Sequence, residues 1–282
     1  MSSTSEIQTF QPAGADAGVE DLRDQIAGRR WYHTIELAPG VETPGWFDCR
    51  SVAPRVLPAS CDGLRCLDIA TFDGFWAFEM ERRGASEVLA IDILDEAEWD
   101  WPAATNPVDR EAIEDRKGGG DGFVIASAHL GSSVERLDQS IYELDPEVHG
   151  RFDVVYLGSL LLHLRDPLRA LERVREVCAG RLIVVDAISL VLTLLVPTPV
   201  ANLDGIGRPY WWKPNVRGLR QMISVSGFEL ESGPTRFRMP VGRGFPPVPL
   251  RHESIATRQA REMLFASLLG EPHAYATARP IR

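Results

Sequence analysis

The chain has 282 residues, of which 44% are hydrophobic and 25% charged. That is ordinary for a folded protein and enough apolar material for a core, which excludes a wholly disordered chain. With 30 basic and 40 acidic residues the formal charge is −10, and only Lys117 and Lys213 are lysines, so non-specific binding to a phosphate backbone is disfavoured.

Residues 1–20 are small and polar and read as a mobile tail without the apolar stretch of a leader peptide. A short helix is expected over Leu22–Ala27. Trp31-Tyr32-His33-Thr34, Pro39-Gly40 and Pro44-Gly45-Trp46-Phe47 follow. Aromatics broken by Pro and Gly predict an ordered loop, so 21–60 is read as a cap or lid. Leu64–Ile69 is a buried-strand pattern closing on Asp68, followed by a helix over Phe75–Arg83 that Gly84 ends. Val88–Asp92 is a second such strand. An acidic loop, Asp95–Trp101, and a break at Gly118–Gly120 precede a helix bearing Phe123, Ala126 and Leu130.

Further strands are expected at Val134–Leu137, Phe152–Leu157 and Leu182–Asp186. A helix opening at Pro167 should bury Leu168, Leu171, Val174 and Cys178. This alternation predicts an α/β domain over 61–282, a Rossmann-like doubly wound and mostly parallel sheet. The segment 190–214, rich in Pro, Gly and aromatics, is expected to cover a substrate. The longest apolar run, Leu182–Pro197, holds Asp186, Ser189 and Thr193 and is too short and too polar to span a bilayer. The four cysteines show no CxxC spacing, and Cys66 and Cys178 read as core thiols. A cytoplasmic protein is the expectation.

Ligands in such sheets bind at the carboxyl ends of the strands, where Asp68, Asp92 and Gly158 fall. Asp92 lies 24 residues after Asp68, the place for an acid that meets ribose hydroxyls. A dinucleotide turn wants G-x-G-x-x-G beneath a pyrophosphate. Here Ala70 and Phe72 stand at the first two glycine positions, Gly74 remains for a close backbone approach, and Asp73 would sit beside the phosphates. S-adenosylmethionine has no phosphate, and its ammonium and sulfonium tolerate acids, so the turn favours it over NAD. The other reading is that Asp68 and Asp92 merely cap turns.

Leu67-Asp68-Ile69-Ala70-Thr71-Phe72-Asp73-Gly74-Phe75-Trp76, with Gly84-Ala85 and Ala90-Ile91-Asp92, resembles a class I S-adenosylmethionine-dependent methyltransferase. Gly150–Gly158, Leu162-His163-Leu164-Arg165-Asp166-Pro167 and Tyr210–Asn215 resemble the family that includes the tRNA wobble-uridine carboxymethyltransferases. The resemblance covers about residues 31 to 230. It implies that Asp68 faces the methionine end of the cofactor and Asp92 the ribose, that Gly74 gives the backbone approach, and that Ala70, Thr71 and Ile93 also bind the cofactor. It implies further that Ser140 and Ile141 edge the adenine and that Leu157 and Gly158 line the methyl-donor side. Two departures bear on the branch. The RNA-modifying members place a tyrosine where Leu162 stands, for the carboxylated cofactor's extra carboxylate, and they use a lysine ahead of the first strand, where this chain has none. Ordinary S-adenosylmethionine is therefore the expected cofactor and methyl the expected group.

His163 could deprotonate an attacking hydroxyl or be a structural residue of the helix approach. His33 could act from the lid or be wedged among aromatics. Trp99 and Trp101 could stack on a ligand or pack underneath. The six histidines show no metal-ligand spacing, and Gly158-Ser159-Leu160-Leu161 is no nucleophile elbow. The expected activity is methyl transfer to a small-molecule acceptor, a hydroxyl of a sugar or secondary metabolite, with nucleic acid and membrane not expected as partners. Two alternatives stay open: an RNA-modifying enzyme using Arg236, Arg238, Arg243, Arg251, Arg258 and Arg261, and a non-catalytic S-adenosylmethionine-binding module.

Overall fold

The computed structural model describes residues 15–249 and 257–281. Helix α1 (Ala15–Ala27) begins inside the expected tail, of which residues 1–14 lie outside the described residues. Leu22 and Ile26, one helical turn apart, are buried and hold α1 to the body. The aromatic cap folds as four very short strands: β1 (Trp31–His33), β2 (Glu36–Ala38), β3 (Val41–Glu42) and β4 (Gly45–Phe47). β1 pairs with β4 in parallel, and β2 with β3 antiparallel. Gly45 makes the first pairing possible, because a Cβ there would lie 2.1 Å from Thr34 N.

After α2 (Ala53–Val56) come β5 (Arg65–Ile69), α3 (Phe75–Arg82), β6 (Glu87–Asp92), α4 (Pro107–Lys117), α5 (Asp121–Leu130) and β7 (Glu135–Asp138). Then follow α6 (Pro146–His149), β8 (Phe152–Gly158), α7 (Pro167–Val177) and β9 (Cys178–Ala187). Gly74 and Gly120 precede α3 and α5, while Asn106 caps α4 through Val108 N. The last part holds α8 (Leu190–Leu195), β10 (Ala201–Leu203), β11 (Trp212–Pro214), α9 (Val216–Val225), β12 (Phe228–Met239), α10 (Arg258–Leu269) and β13 (Glu271–Pro280).

The central sheet has seven strands in the order β12-β13-β9-β8-β5-β6-β7. β5 to β9 are parallel, and β13 runs antiparallel to both its neighbours. The expected doubly wound sheet is therefore present, with β12 and β13 added at one edge. One apolar core lies against the cap, α3 and α5, around Trp31, Trp76 and Met80. The other lies against α7 and α9, around Leu157, Leu171 and Ile223. α7 buries Ala170, Leu171, Val174 and Val177, whereas Leu168 is 40% exposed and Cys178 already belongs to β9. The chain steps outward from β5 to β7 and returns to β8 on the other side of β5. Strand order thus reverses between β5 and β8, where a crevice opens at the carboxyl ends. No helix among the described residues is long and apolar enough to cross a membrane.

Candidate active site

A cavity follows the carboxyl ends of the strands. It runs from Ser140 beyond β7, past Asp92 of β6, Ala70 after β5 and Gly158 of β8, to His273 of β13. The register puts these residues on one edge: Asp92 is opposite Asp138, Gly158 opposite Val185 and Ala187 opposite His273. Tyr32, Trp46 and Phe47 of the cap form one wall. The charged side chains lining it are the carboxylates Asp92, Glu98, Asp100 and Glu271; among the described residues no lysine or arginine lines it.

The turn from β5 to α3 alternates through the left-handed region, with φ of 61° at Ala70, 57° at Phe72 and 93° at Gly74. A side chain in that region costs on the order of 1–2 kcal/mol, so Ala70 and Phe72 are held there by their surroundings. The Ala70 N–H donates to Ile91 O at 2.9 Å and the Phe72 N–H to Asp92 Oδ2 at 2.7 Å. The Phe72 ring stacks on Tyr32 at 4.5 Å between centroids. Lys117, buried at the end of α4, lies against Asp92 Oδ2 with its ammonium 4.7 Å from the Phe72 ring centroid.

Of the expected cofactor residues, Ala70, Asp92, Ile93, Ser140, Ile141 and Gly158 line the cavity. Asp68, Thr71, Gly74 and Leu157 do not. Asp68 sits beneath the turn, 1% exposed, its Oδ2 accepting from Thr71 Oγ1 at 2.7 Å and Ala77 N at 3.1 Å. Its Oδ1 has no hydrogen-bond partner among the described residues, and burial pushes its pKa up to about 7. Thr71 is fully buried as the partner of Asp68. Gly74 makes room for packed rings, since a Cβ would fall 2.4 Å from the Phe78 ring and 2.8 Å from that of Phe123. Leu157 turns into the α7 core because side chains alternate along β8, and Tyr156 takes the opposite face.

The two histidines divide. His163 lines the cavity with its Nδ1 2.8 Å from Pro209 O and its ring 5.2 Å from that of Tyr210. A carbonyl only accepts, so the neutral ring carries its hydrogen on Nδ1 and its lone pair on Nε2. His33 is not among the lining residues. It is 3% exposed, its Nδ1 lies against Asp73 Oδ1, and its ring stacks on Phe75 at 5.5 Å. Asp73 Oδ2 also accepts from the backbone N–H groups of Tyr32 and His33, both at 2.8 Å. The pair therefore rivets β1 of the cap to the β5–α3 turn, and the role of cavity base expected for His33 is not available to it.

Trp99 and Trp101 stack on each other at 5.3 Å and line the cavity, each ring N–H satisfied by a backbone carbonyl. Arg251 of the basic set lies outside the described residues. The sequence reading gave no site role to Lys117, Ser159, Glu271 and His273, whereas Tyr210 of the segment 190–214 expected to cover a substrate lines the cavity. Scarcity of lysine was the one signal for Lys117, and the others stand on segments without a strong periodic pattern. No cluster of metal-ligating side chains occurs among the described residues.

The sequence matches no protein-family profile and no curated protein. Solved structures share its fold. The [4+2]-cyclase SpnF has a TM-score of 0.54 at 16% identity, covering 94% of each chain. The YcgJ protein from Bacillus subtilis has a TM-score of 0.51 at 15% identity, over 82% of this chain and 98% of its own. An S-adenosylmethionine-dependent methyltransferase from Mesorhizobium loti has a TM-score of 0.45 at 16% identity, over 82% of this chain and 97% of its own. At such identities the likeness establishes the fold alone, a Rossmann-like, doubly wound and mostly parallel sheet.

Proposed function

We propose that the protein is an S-adenosylmethionine-dependent methyltransferase that methylates a hydroxyl of a small molecule such as a sugar or secondary metabolite. The observation that carries this reading is the charge of the cavity, lined by four carboxylates and, among the described residues, by no lysine or arginine. A pyrophosphate or an RNA backbone would lose its hydration there with no cation to meet it. A sulfonium and an ammonium would meet carboxylates instead.

The residues present fit that cofactor. The two contacts made by the Asp92 carboxylate both fall on Oδ2, which leaves Oδ1 to accept from a ribose hydroxyl. Ile91, Ile93 and Ile141 offer apolar surface to a base beside Ser140. Leu162 lines the cavity where a carboxylated cofactor would need a hydroxyl, which supports the ordinary cofactor.

Bound there, S-adenosylmethionine supplies a methyl group already activated by its sulfonium. The chain then has to bind, align and exclude water, and the Tyr32, Trp46 and Phe47 wall serves the last of these. Titration calorimetry tests the reading with S-adenosylmethionine, S-adenosylhomocysteine, the carboxylated cofactor and NAD. The first two should bind and NAD should not. Binding of NAD comparable with S-adenosylmethionine, or no binding of the latter, overturns the proposal. Incubation with methyl-labelled cofactor and a metabolite extract should then place label on a small molecule; label on RNA instead would favour the RNA-modifying reading.

A further inference from the structure

Ser159 and His273 meet on the side of the β5–β8 switch point away from Asp92. Ser159 directly follows β8 with φ of 50°, a left-handed conformation uncommon outside glycine, and its N–H donates to Val185 O at 2.7 Å. Its Oγ lies 3.2 Å from Nε2 of His273, and both residues line the cavity. His273 stands on β13 opposite Ala187, with Nδ1 3.2 Å from Glu271 O. That carbonyl only accepts, so the neutral ring has its hydrogen on Nδ1 and its lone pair on Nε2, facing the serine hydroxyl. The hydroxyl therefore donates to the ring and keeps its own lone pairs for another donor.

The groups around His273 are few. Glu271 is on its own strand and Lys213 of β11 has Nζ 3.9 Å from Glu271 Oε1. Asp186 of β9 is turned to the N–H groups of Leu161 and Ala187, and the remaining neighbours are the rings of Phe47 and Phe237. Burial pushes the His273 pKa down, which keeps the ring uncharged at neutral pH with a lone pair on Nε2. Phe47 lies against the His273 ring, and Tyr32, Trp46 and Tyr210 line the same cavity. Aromatic faces of this kind match a flat ring.

We propose that the acceptor is an aromatic hydroxyl compound whose O–H donates to Ser159 and whose proton passes through Ser159 to His273. The proposal rests on the methyltransferase reading and narrows its substrate class. In the step, a lone pair of the acceptor oxygen forms the new O–C bond while the C–S bond breaks and its electron pair goes to sulfur. The acceptor's proton goes to Ser159 Oγ as the serine proton goes to Nε2, and the imidazolium later returns it to water. Ser159 touches the acceptor; His273 acts through it and is a positioning residue that stores the proton.

The test uses 4-nitrophenol, whose ionised and neutral forms absorb at different wavelengths, added to protein saturated with S-adenosylhomocysteine. Bound probe should show an ionisation constant displaced about tenfold from that of free probe, because its hydroxyl meets Ser159 and, through it, the imidazole instead of water. Ser159→Ala and His273→Gln should each abolish that shift while S-adenosylhomocysteine still binds. A merely structural role for either residue would leave the absorbance titration unmoved. Ser159→Ala alone decides the matter if His273→Gln does not fold. No binding of the probe, a bound probe that titrates as in water, or a shift that survives Ser159→Ala overturns the proposal and leaves the methyltransferase reading standing. Failure of S-adenosylhomocysteine to bind overturns that reading, and this proposal with it.

Discussion

Lys117 packs its ammonium against the Oδ2 oxygen of Asp92, and both side chains are buried, at 2% and 8% exposure. The same oxygen receives the Phe72 N–H, so the end of α4, the end of β6 and the β5–α3 turn converge on one atom. One of only two lysines in the chain is spent on this contact. The buried carboxylate is thus compensated by a buried cation. Lys117→Met should therefore destabilise the protein by about 3 kcal/mol or more, since it leaves a buried charge uncompensated. Adding Asp92→Asn should recover much of the loss. Urea midpoints of the two single variants and the double variant check this, and equal losses in the double and in Lys117→Met would refute the pairing.

Asp92→Ala should also weaken S-adenosylmethionine. Loss of a charge-assisted hydrogen bond to the ribose costs on the order of 1.5–3 kcal/mol. Calorimetry on the folded variant reads it, and an unchanged dissociation constant removes Asp92 from the site.

Gly74→Ala separates packing from binding. The substitution puts a side chain at φ of 93° and a Cβ 2.4 Å from the Phe78 ring. The backbone term is about 1–2 kcal/mol and the overpacking about 1–3 kcal/mol, so a marked fall in denaturant midpoint is expected. Residue 74 is not in the cavity wall, so the fraction that folds should bind S-adenosylmethionine with nearly wild-type affinity. A large loss of affinity with unchanged stability would return Gly74 to the ligand.

Asp68 gives stability a pH dependence. Burial holds its proton until about pH 7, against an ordinary value of 3.8, and Asp186 is raised for the same cause. Across that interval the native state binds more protons than the unfolded chain, so stability falls as pH rises from 3.8 to about 7 and levels off above it. Asp68→Asn has no proton to lose there. The wild-type denaturant midpoint should drop between about pH 5 and about pH 8, by on the order of a few kcal/mol in stability, and the variant should drop less. Parallel pH profiles for the two proteins would contradict this.

The half of the site built on β5 and β6 was legible because buried parallel strands read as unbroken apolar runs, and an acid after such a run marks a strand end. Direction along a strand was harder. Leu157 and Tyr156 are both apolar enough for either face, and only the packed helices decide which one turns away from the cavity. Gly74 was seen as necessary, but a turn glycine can make room for a ligand or for a ring, and Phe123 on a later helix decides it. His33 was claimed by Asp73, 40 residues away in sequence. The β13 side was invisible because half of that strand is Ala and Pro, poor announcers of a strand, and β12 is interrupted by Gly233-Pro234.

The cap poses the sharpest stability question. As a lid it could be removed without unfolding the domain; as core it could not. Leu22, Ile26, Trp31, Ile35, Leu37, Val41 and Phe47 are all at most 7% exposed and belong to the same apolar cluster as Trp76 and Met80 beneath the sheet. Each such side chain contributes about 1.5–3 kcal/mol by leaving water, and seven of them rival the roughly 5–15 kcal/mol that separates a domain from its unfolded state. The Asp73 contacts to Tyr32 and His33 add a polar anchor in the same place. Deletion of residues 1–48 should therefore unfold the protein rather than yield a folded domain with an open site. Loss of the cooperative transition in circular dichroism, with exposed apolar surface read by dye binding, is the expected result. A truncated chain that melts cooperatively and binds S-adenosylmethionine weakly would show instead that the cap is a lid, and one that keeps full affinity would show that Tyr32, Trp46 and Phe47 contribute nothing to the cofactor site.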